Sequence, residues 1–167
     1  MKITVIGAGS WGTALALHFS QHGNRVSLWT RNADQVRQMQ EERENKHGLP
    51  GFPFPETLEV CADLADALKD SGLVLIVTSV AGLRSSAELL KQYGAGHFPV
   101  LAACKGFEQD TVLLTFQLLK EVLPDNKKIG VLSGPSFAQE LAKQLPCAVV
   151  LASENQEWIE ELVPQLN

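Results

Sequence analysis

Short apolar runs of strand length alternate along the chain with segments whose apolar residues recur every three or four positions. The first run, Ile3-Thr4-Val5-Ile6, breaks through a glycine cluster into the helical stretch Thr13-Ala14-Leu15-Ala16-Leu17. Further strands are predicted over residues 25–30, 57–60, 73–77, 99–103, 128–132 and 147–152, and helices over 33–42, 63–69, 83–92, 110–122 and 137–143. A last amphipathic segment, 154–163, sets Trp158, Ile159, Leu162 and Val163 on one side. Leu73-Val74-Leu75-Ile76-Val77 is the most apolar run and reads as a central parallel strand buried on both faces. Residues 45–55 are too rich in proline and glycine for regular structure, and too rich in aromatics for a floppy linker, so an ordered loop is expected. Strands alternating with helices specify a doubly wound, mostly parallel α/β sheet with helices on both faces, as one domain over residues 1–167.

Composition narrows the classes of function. With 45% hydrophobic and 20% charged residues, the chain has the make-up of a soluble globular domain. A net charge of −5 argues against a general nucleic-acid or acidic-membrane binder. Cys61, Cys104 and Cys147 form neither a CxxC pair nor a disulfide framework and read as reduced thiols. No apolar run reaches the length of a membrane span and the chain starts on a strand rather than a signal peptide, so we expect no membrane insertion and a cytoplasmic location.

The glycine cluster carries the most specific chemistry. Gly7-Ala8-Gly9-Ser10-Trp11-Gly12 sits between a strand and a helix, the context in which GxGxxG binds a dinucleotide. Gly7 allows the tight turn, Gly9 lets a pyrophosphate approach the backbone, and Gly12 lets the helix pack on the sheet. The phosphates would meet unpaired N–H groups and the positive end of the helix dipole.

Ligands of such sheets bind beyond the C-terminal ends of the strands. After the second strand the chain has Trp29-Thr30-Arg31-Asn32, where an acidic residue usually binds the ribose 2′-hydroxyl of NAD. A guanidinium there pairs with a 2′-phosphate, which favours NADP(H), with use of NAD(H) left open; Arg31 as a mere surface charge is the alternative. Asp34 lies beyond the expected point and also suits the first turn of a helix. Lys105, at the end of the strand over 99–103 and followed by Gly106, points an ammonium into the cleft toward an anionic group; its neighbour Cys104 has no evident activating base. Ser136 suits two roles, capping the following helix with Gln139 as a capping box, or presenting its hydroxyl to a ligand above that cap. His18 and His22 are spaced i, i+4 but lack a carboxylate or thiolate partner, and no metal site is predicted.

Together these segments resemble the bacterial NAD(P)-dependent glycerol-3-phosphate dehydrogenases over essentially the whole chain. The resemblance is carried by residues 7–16, by Trp29-Thr30-Arg31, by Asn45 with Leu49-Pro50-Gly51, by Lys105-Gly106, and by Ser133-Gly134-Pro135-Ser136-Phe137-Ala138-Gln139-Glu140. It implies a Rossmann-type cofactor domain and hydride transfer between NAD(P)H and dihydroxyacetone phosphate, giving sn-glycerol 3-phosphate for phospholipid synthesis. It assigns Ser10, Trp11, Arg31 and Ala138 to the cofactor, Lys105 to cofactor and substrate, and Gly134 and Ser136 to the substrate.

Two departures stand out. Gly48 occupies a position where the family often has a tyrosine that contacts cofactor, and Thr78-Ser79-Val80 replaces a common Val-Pro-Ser. Family members are also about twice as long, with a C-terminal helical domain that supplies the catalytic lysine. The resemblance thus implies the cofactor-binding half, with no catalytic residue of its own and negligible turnover alone. Trp158 and Leu162 are expected to have packed on the second domain, which predicts self-association into a homo-oligomer. Alternatives are another two-domain dehydrogenase of a hydroxy acid or sugar acid, and a non-catalytic NADP-sensing module.

Overall fold

The computed structural model describes residues 1–166. Its elements are β1 (Lys2–Ile6), α1 (Ser10–Gln21), β2 (Arg25–Trp29), α2 (Ala33–Glu42), β3 (Leu58–Cys61), α3 (Leu64–Leu68), β4 (Leu73–Ile76) and α4 (Val80–Gln92). Then follow a 3-10 turn (Ala95–His97), β5 (Val100–Ala102), α5 (Thr115–Val122), β6 (Ile129–Ser133), α6 (Ala138–Ala142), β7 (Val150–Ser153) and α7 (Gln156–Leu166). The strands form one sheet in the order β3-β2-β1-β4-β5-β6-β7. Every neighbouring pair is parallel except β6 and β7. The strand order reverses between β1 and β4, and that switch point opens a crevice above their C-terminal ends.

Strand alternation splits the core between the two faces. Leu73 and Leu75 of β4 join Ile3, Val5 and Leu28 beneath α1, α2, α6 and α7. Val74 and Ile76 turn the other way, into a second core with Leu83 and Leu90 of α4 and Leu118 of α5. All four β4 residues are fully shielded from solvent, as expected of a strand covered by helices on both sides. Each contributes about 1.5–3 kcal/mol by leaving water.

Three local expectations are corrected. The helix predicted from residue 110 starts at Thr115. Residues 107–114 instead form a hairpin-like excursion, with a bridge between Phe107 and Leu114 and a bond from the Glu108 N–H to the Leu113 carbonyl (2.9 Å). The last strand begins at Val150 rather than Cys147, because residues 145–149 run as irregular chain into the sheet edge. Trp158 and Leu162 are buried against the sheet rather than presented for another domain; one turn of α7 places both under β6 and β7, and Val163 is left exposed.

The loop over residues 45–55 is ordered, as its composition predicts. An antiparallel bridge joins Glu44 to Pro53, and Leu49 and Phe54 are buried in the core beneath α1 and α2.

Candidate functional site

The turn from β1 into α1 is set by what its glycines exclude. Gly7 has φ of +113°, a conformation L-residues rarely adopt, and a Cβ there would lie 2.6 Å from the Val77 carbonyl oxygen. A Cβ on Gly12 would lie 1.9 Å from the Gly7 carbonyl oxygen, so the first turn of α1 rests directly on the strand end. Gly9 is the opposite case: nothing lies within 4 Å of where its Cβ would be. Gly9 is the N-cap of α1 and no side chain caps the helix, so its first N–H groups face the crevice beside exposed Ser10 and half-buried Trp11. An open floor above an uncapped helix N-terminus suits an anion that approaches the backbone closely.

Arg31 follows β2 at one end of the crevice. Its guanidinium is exposed and donates to the Ser85 hydroxyl on α4 (2.8 Å). Asp34 is in the first turn of α2 and pairs with Arg37, away from the crevice floor. Asn32 caps that helix, its side chain accepting from the N–H groups of Asp34 and Gln35 (both 3.1 Å).

Lys105 follows β5 at the other end. Gly106, with φ of +110°, turns the chain immediately after it. The ammonium donates to the carbonyls of Gly134 and Ser136 (both 3.3 Å) and lies 5.8 Å from the centre of the Trp11 ring. Lys105, Trp11 and Ser136 border a cavity of about 290 Å³ together with Ser10, Thr78, Cys104 and Ala138. The structure thus brings Ser10, Trp11, Lys105, Ser136 and Ala138 together, with Gly134 held through its carbonyl. Arg31 stands apart. β2 and β5 are separated by β1 and β4, so the strands that these two residues follow lie three spacings apart, about 14 Å.

Of the two roles open to Ser136, the capping box does not form. α6 starts at Ala138 with Phe137 as its N-cap and no side-chain cap, and Ser136 is buried with its hydroxyl turned to the Gly134 carbonyl (3.4 Å). The local signal was outweighed by Lys105, which takes up the Ser136 carbonyl across the cleft. Cys104 is a packed thiol: burial pushes its pKa up, and its Sγ donates to the Ile76 carbonyl (3.4 Å).

Two supports of this crevice have no role assigned from the sequence, where Asn45 enters only as part of the family resemblance. Ala8, between the first two glycines, has a carbonyl that accepts from both Gln35 Nε2 (2.8 Å) and Asn45 Nδ2 (2.9 Å). Behind Lys105, Arg84 of α4 forms a two-pronged pair with Glu108 (2.8 Å for each prong) and a further bond to Glu121 (2.8 Å). The Arg84 guanidinium, and after it the Thr111 hydroxyl, hold the Glu108 carboxyl down to about 2.

A larger cavity, about 620 Å³, lies on the far side of Trp11 between α1, α6 and β7. Its walls are mostly aliphatic, and it lies away from the glycine turn and Lys105, so the smaller cavity is the better candidate for chemistry. His18 and His22 line the larger one with ring centres 4.2 Å apart, and burial, then the neighbouring His22, lowers the His18 pKa. Among the described residues no cluster of three metal-ligating side chains occurs, and no helix is long and apolar enough to cross a membrane.

Comparison with known proteins gives the family. A 96% identical relative, glycerol-3-phosphate dehydrogenase (NAD(P)+) of Neisseria meningitidis serogroup C, matches all of this chain and 51% of its own length. The protein of the same name from Idiomarina loihiensis is 45% identical over 161 residues, which is 96% of this chain and 48% of the relative. The chain therefore spans about half the length of the curated relatives it matches. Among solved structures, glycerol-3-phosphate dehydrogenase from Coxiella burnetii superposes with a TM-score of 0.88 at 36% identity, over 99% of this chain and 50% of that one. A ketopantoate reductase from Ralstonia eutropha, at 20% identity and a TM-score of 0.61, shares the fold alone. The profile of the NAD-dependent glycerol-3-phosphate dehydrogenase N-terminus matches residues 2–159, and the chain belongs to that family.

Proposed function

We propose that this chain is the nucleotide-binding part of an oxidoreductase that takes NADP(H), and also NAD(H), for reversible reduction of dihydroxyacetone phosphate to sn-glycerol 3-phosphate, a phospholipid precursor. The observation that carries the reading is one strand-end ledge with a cation at each end and an open glycine turn between them. Gly7, Gly9 and Gly12 shape the pyrophosphate seat, and the backbone N–H groups at Ser10 and Trp11 face it. Arg31 takes the 2′-phosphate of NADP(H), exchanging its bond to Ser85 for a charge-assisted one. Lys105, Gly134, Ser136 and Ala138 border the nicotinamide end.

The dihydronicotinamide, when bound, supplies the hydride. The chain's own residues orient and bind. Trp11 walls the cavity and Lys105 lies near its ring, with two of the three ammonium donors on carbonyls and the third available to an anionic or polarised substrate oxygen. The residues lining that cavity include no carboxylate and no histidine. By the family resemblance, the proton for the alkoxide is supplied by a lysine outside this chain, and this chain turns over negligibly alone. We place the enzyme in the cytoplasm, acting on a small soluble substrate as a homo-oligomer.

Titration of the chain with NADPH and NADH tests this. Both should bind, NADPH more tightly. Arg31→Ala should weaken NADPH about tenfold and leave NADH unchanged, as loss of one exposed charge-assisted contact predicts. Failure of both nucleotides to bind at millimolar concentration overturns the reading. Appreciable NADPH oxidation on adding dihydroxyacetone phosphate would show that the chemistry does not need a second half.

A further inference from the structure

Asn45 lies in the loop after α2, 37 residues from the glycine turn, yet it is only 1% exposed. All of its amide is used. Nδ2 donates to the Ala8 carbonyl (2.9 Å) and to the Thr13 hydroxyl (2.7 Å), and Oδ1 accepts from the Gly48 N–H (2.9 Å). Gln35, one turn into α2, reaches the same Ala8 carbonyl with Nε2 (2.8 Å). Two side-chain amides from separate elements thus meet on one backbone oxygen in the middle of GxGxxG.

The peptide joining Ala8 to Gly9 is a rigid trans plane, so its C=O and N–H point in opposite directions. Holding the Ala8 oxygen against α2 and the loop therefore directs the Gly9 N–H the other way, and Gly9 itself is uncrowded, with nothing within 4 Å of its Cβ position. Two donors on the carbonyl have two further effects. They polarise the plane, which strengthens its N–H as a donor. They also occupy both lone pairs of an oxygen that would otherwise repel a phosphate close by.

We propose that Asn45 and Gln35 are positioning residues for the pyrophosphate: by saturating the Ala8 carbonyl they aim the Gly9 N–H at the ligand and neutralise the oxygen behind it. This rests on the cofactor reading above and extends it to residues that never touch the cofactor.

Gln35→Met, which keeps length and packing but removes the amide, is the gentler test; Asn45→Asp, which replaces the donor with an acceptor, is the stronger one. Both should weaken NADPH about tenfold or more, equivalent to about 1.4 kcal/mol. Both should leave adenosine 2′-monophosphate, which reaches Arg31 but has no pyrophosphate, bound as in the parent. In the ligand-free chain the Gly9 amide nitrogen resonance should move upfield in Gln35→Met, because its carbonyl partner has lost a donor. Unchanged NADPH affinity in Gln35→Met overturns the proposal, even if Asn45→Asp fails to fold. An equal loss for NADPH and adenosine 2′-monophosphate overturns it too, by showing a general disturbance. A parent chain that binds no NADPH removes the cofactor reading itself, an outcome distinct from a parent that binds and variants that bind equally well.

Discussion

The β1–α1 turn and the segment after β5 form the two working parts of one ledge, and they are built in opposite ways. The first is shaped by absence: three glycines leave room for a backbone carbonyl below and for a ligand above. The second is shaped by charge. Lys105 is held by two carbonyls, and the excursion that follows it is pinned by Arg84 on Glu108, with Thr111 closing on the same carboxylate. Steric exclusion tolerates nothing added, whereas an ion cluster on a partly exposed surface can be loosened in stages. The difference predicts how each part fails.

The largest effect is expected at Gly12→Ala. With no space for the new methyl, the helix must leave the strand, costing more than about 3 kcal/mol and lowering the melting temperature by about 10 °C. A melting temperature within a degree or two of the parent would falsify the claim of close packing. Gly48→Ala should be intermediate. Its Cβ would meet Asn45 Nδ2 at 2.6 Å and displace an amide that ties the loop to the turn, costing about 1–2 kcal/mol and about 5 °C. It should also weaken NADPH more than adenosine 2′-monophosphate; an even loss would separate the loop from the phosphate seat.

At the charged end the expected signature is pH dependence rather than collapse. The Glu108 carboxyl titrates at about 2 in the folded chain, below its ordinary range, because it pairs with Arg84 and Thr111. A depressed carboxyl stabilises the fold above its unfolded pKa, and that contribution fades as pH falls through the ordinary range toward 2. Glu108→Gln should therefore melt below the parent at pH 7, with the gap closing progressively between pH 5 and pH 2. A gap that stays constant across that window would show that the pair does not act through charge.

The smallest effect concerns association. Phe107, Val112 and Leu114 on the excursion after Lys105, and Phe137 before α6, are large exposed apolar side chains. Replacing Phe107 and Leu114 by serine should reduce concentration-dependent sedimentation while hardly moving the melting curve. Unaltered sedimentation would shift attention to the apolar cavity between α1, α6 and β7.

The same contrast explains how far the sequence could be read. The glycine turn was legible because its constraints are local: strand, turn and helix lie within a few residues and each glycine answers a nearby clash. Arg31 and Lys105 were legible as strand-end residues, since a parallel sheet delivers its strand ends to one edge. The start of α5 was not. Val112, Leu113 and Leu114 continue the helical spacing of the segment, but Arg84, 24 residues earlier, captures Glu108 and folds them into a hairpin in which Val112 takes a left-handed φ of 58°. Of the two roles open to Ser136, capping does not form, and its carbonyl is taken up by Lys105 across the cleft.

By itself the sequence determined the alternation of strands and helices, the buried central strand and the place where a phosphate-bearing ligand can approach the backbone. All of these depend on periodicity or on steric limits within a short span. Only the tertiary structure decided that Asn45 and Gln35 share the Ala8 carbonyl, that Arg84 holds the chain behind Lys105, and that Trp158 and Leu162 lie inside. Those choices bring together groups far apart in the chain, where a polar side chain gains its partner only once the core has placed both elements.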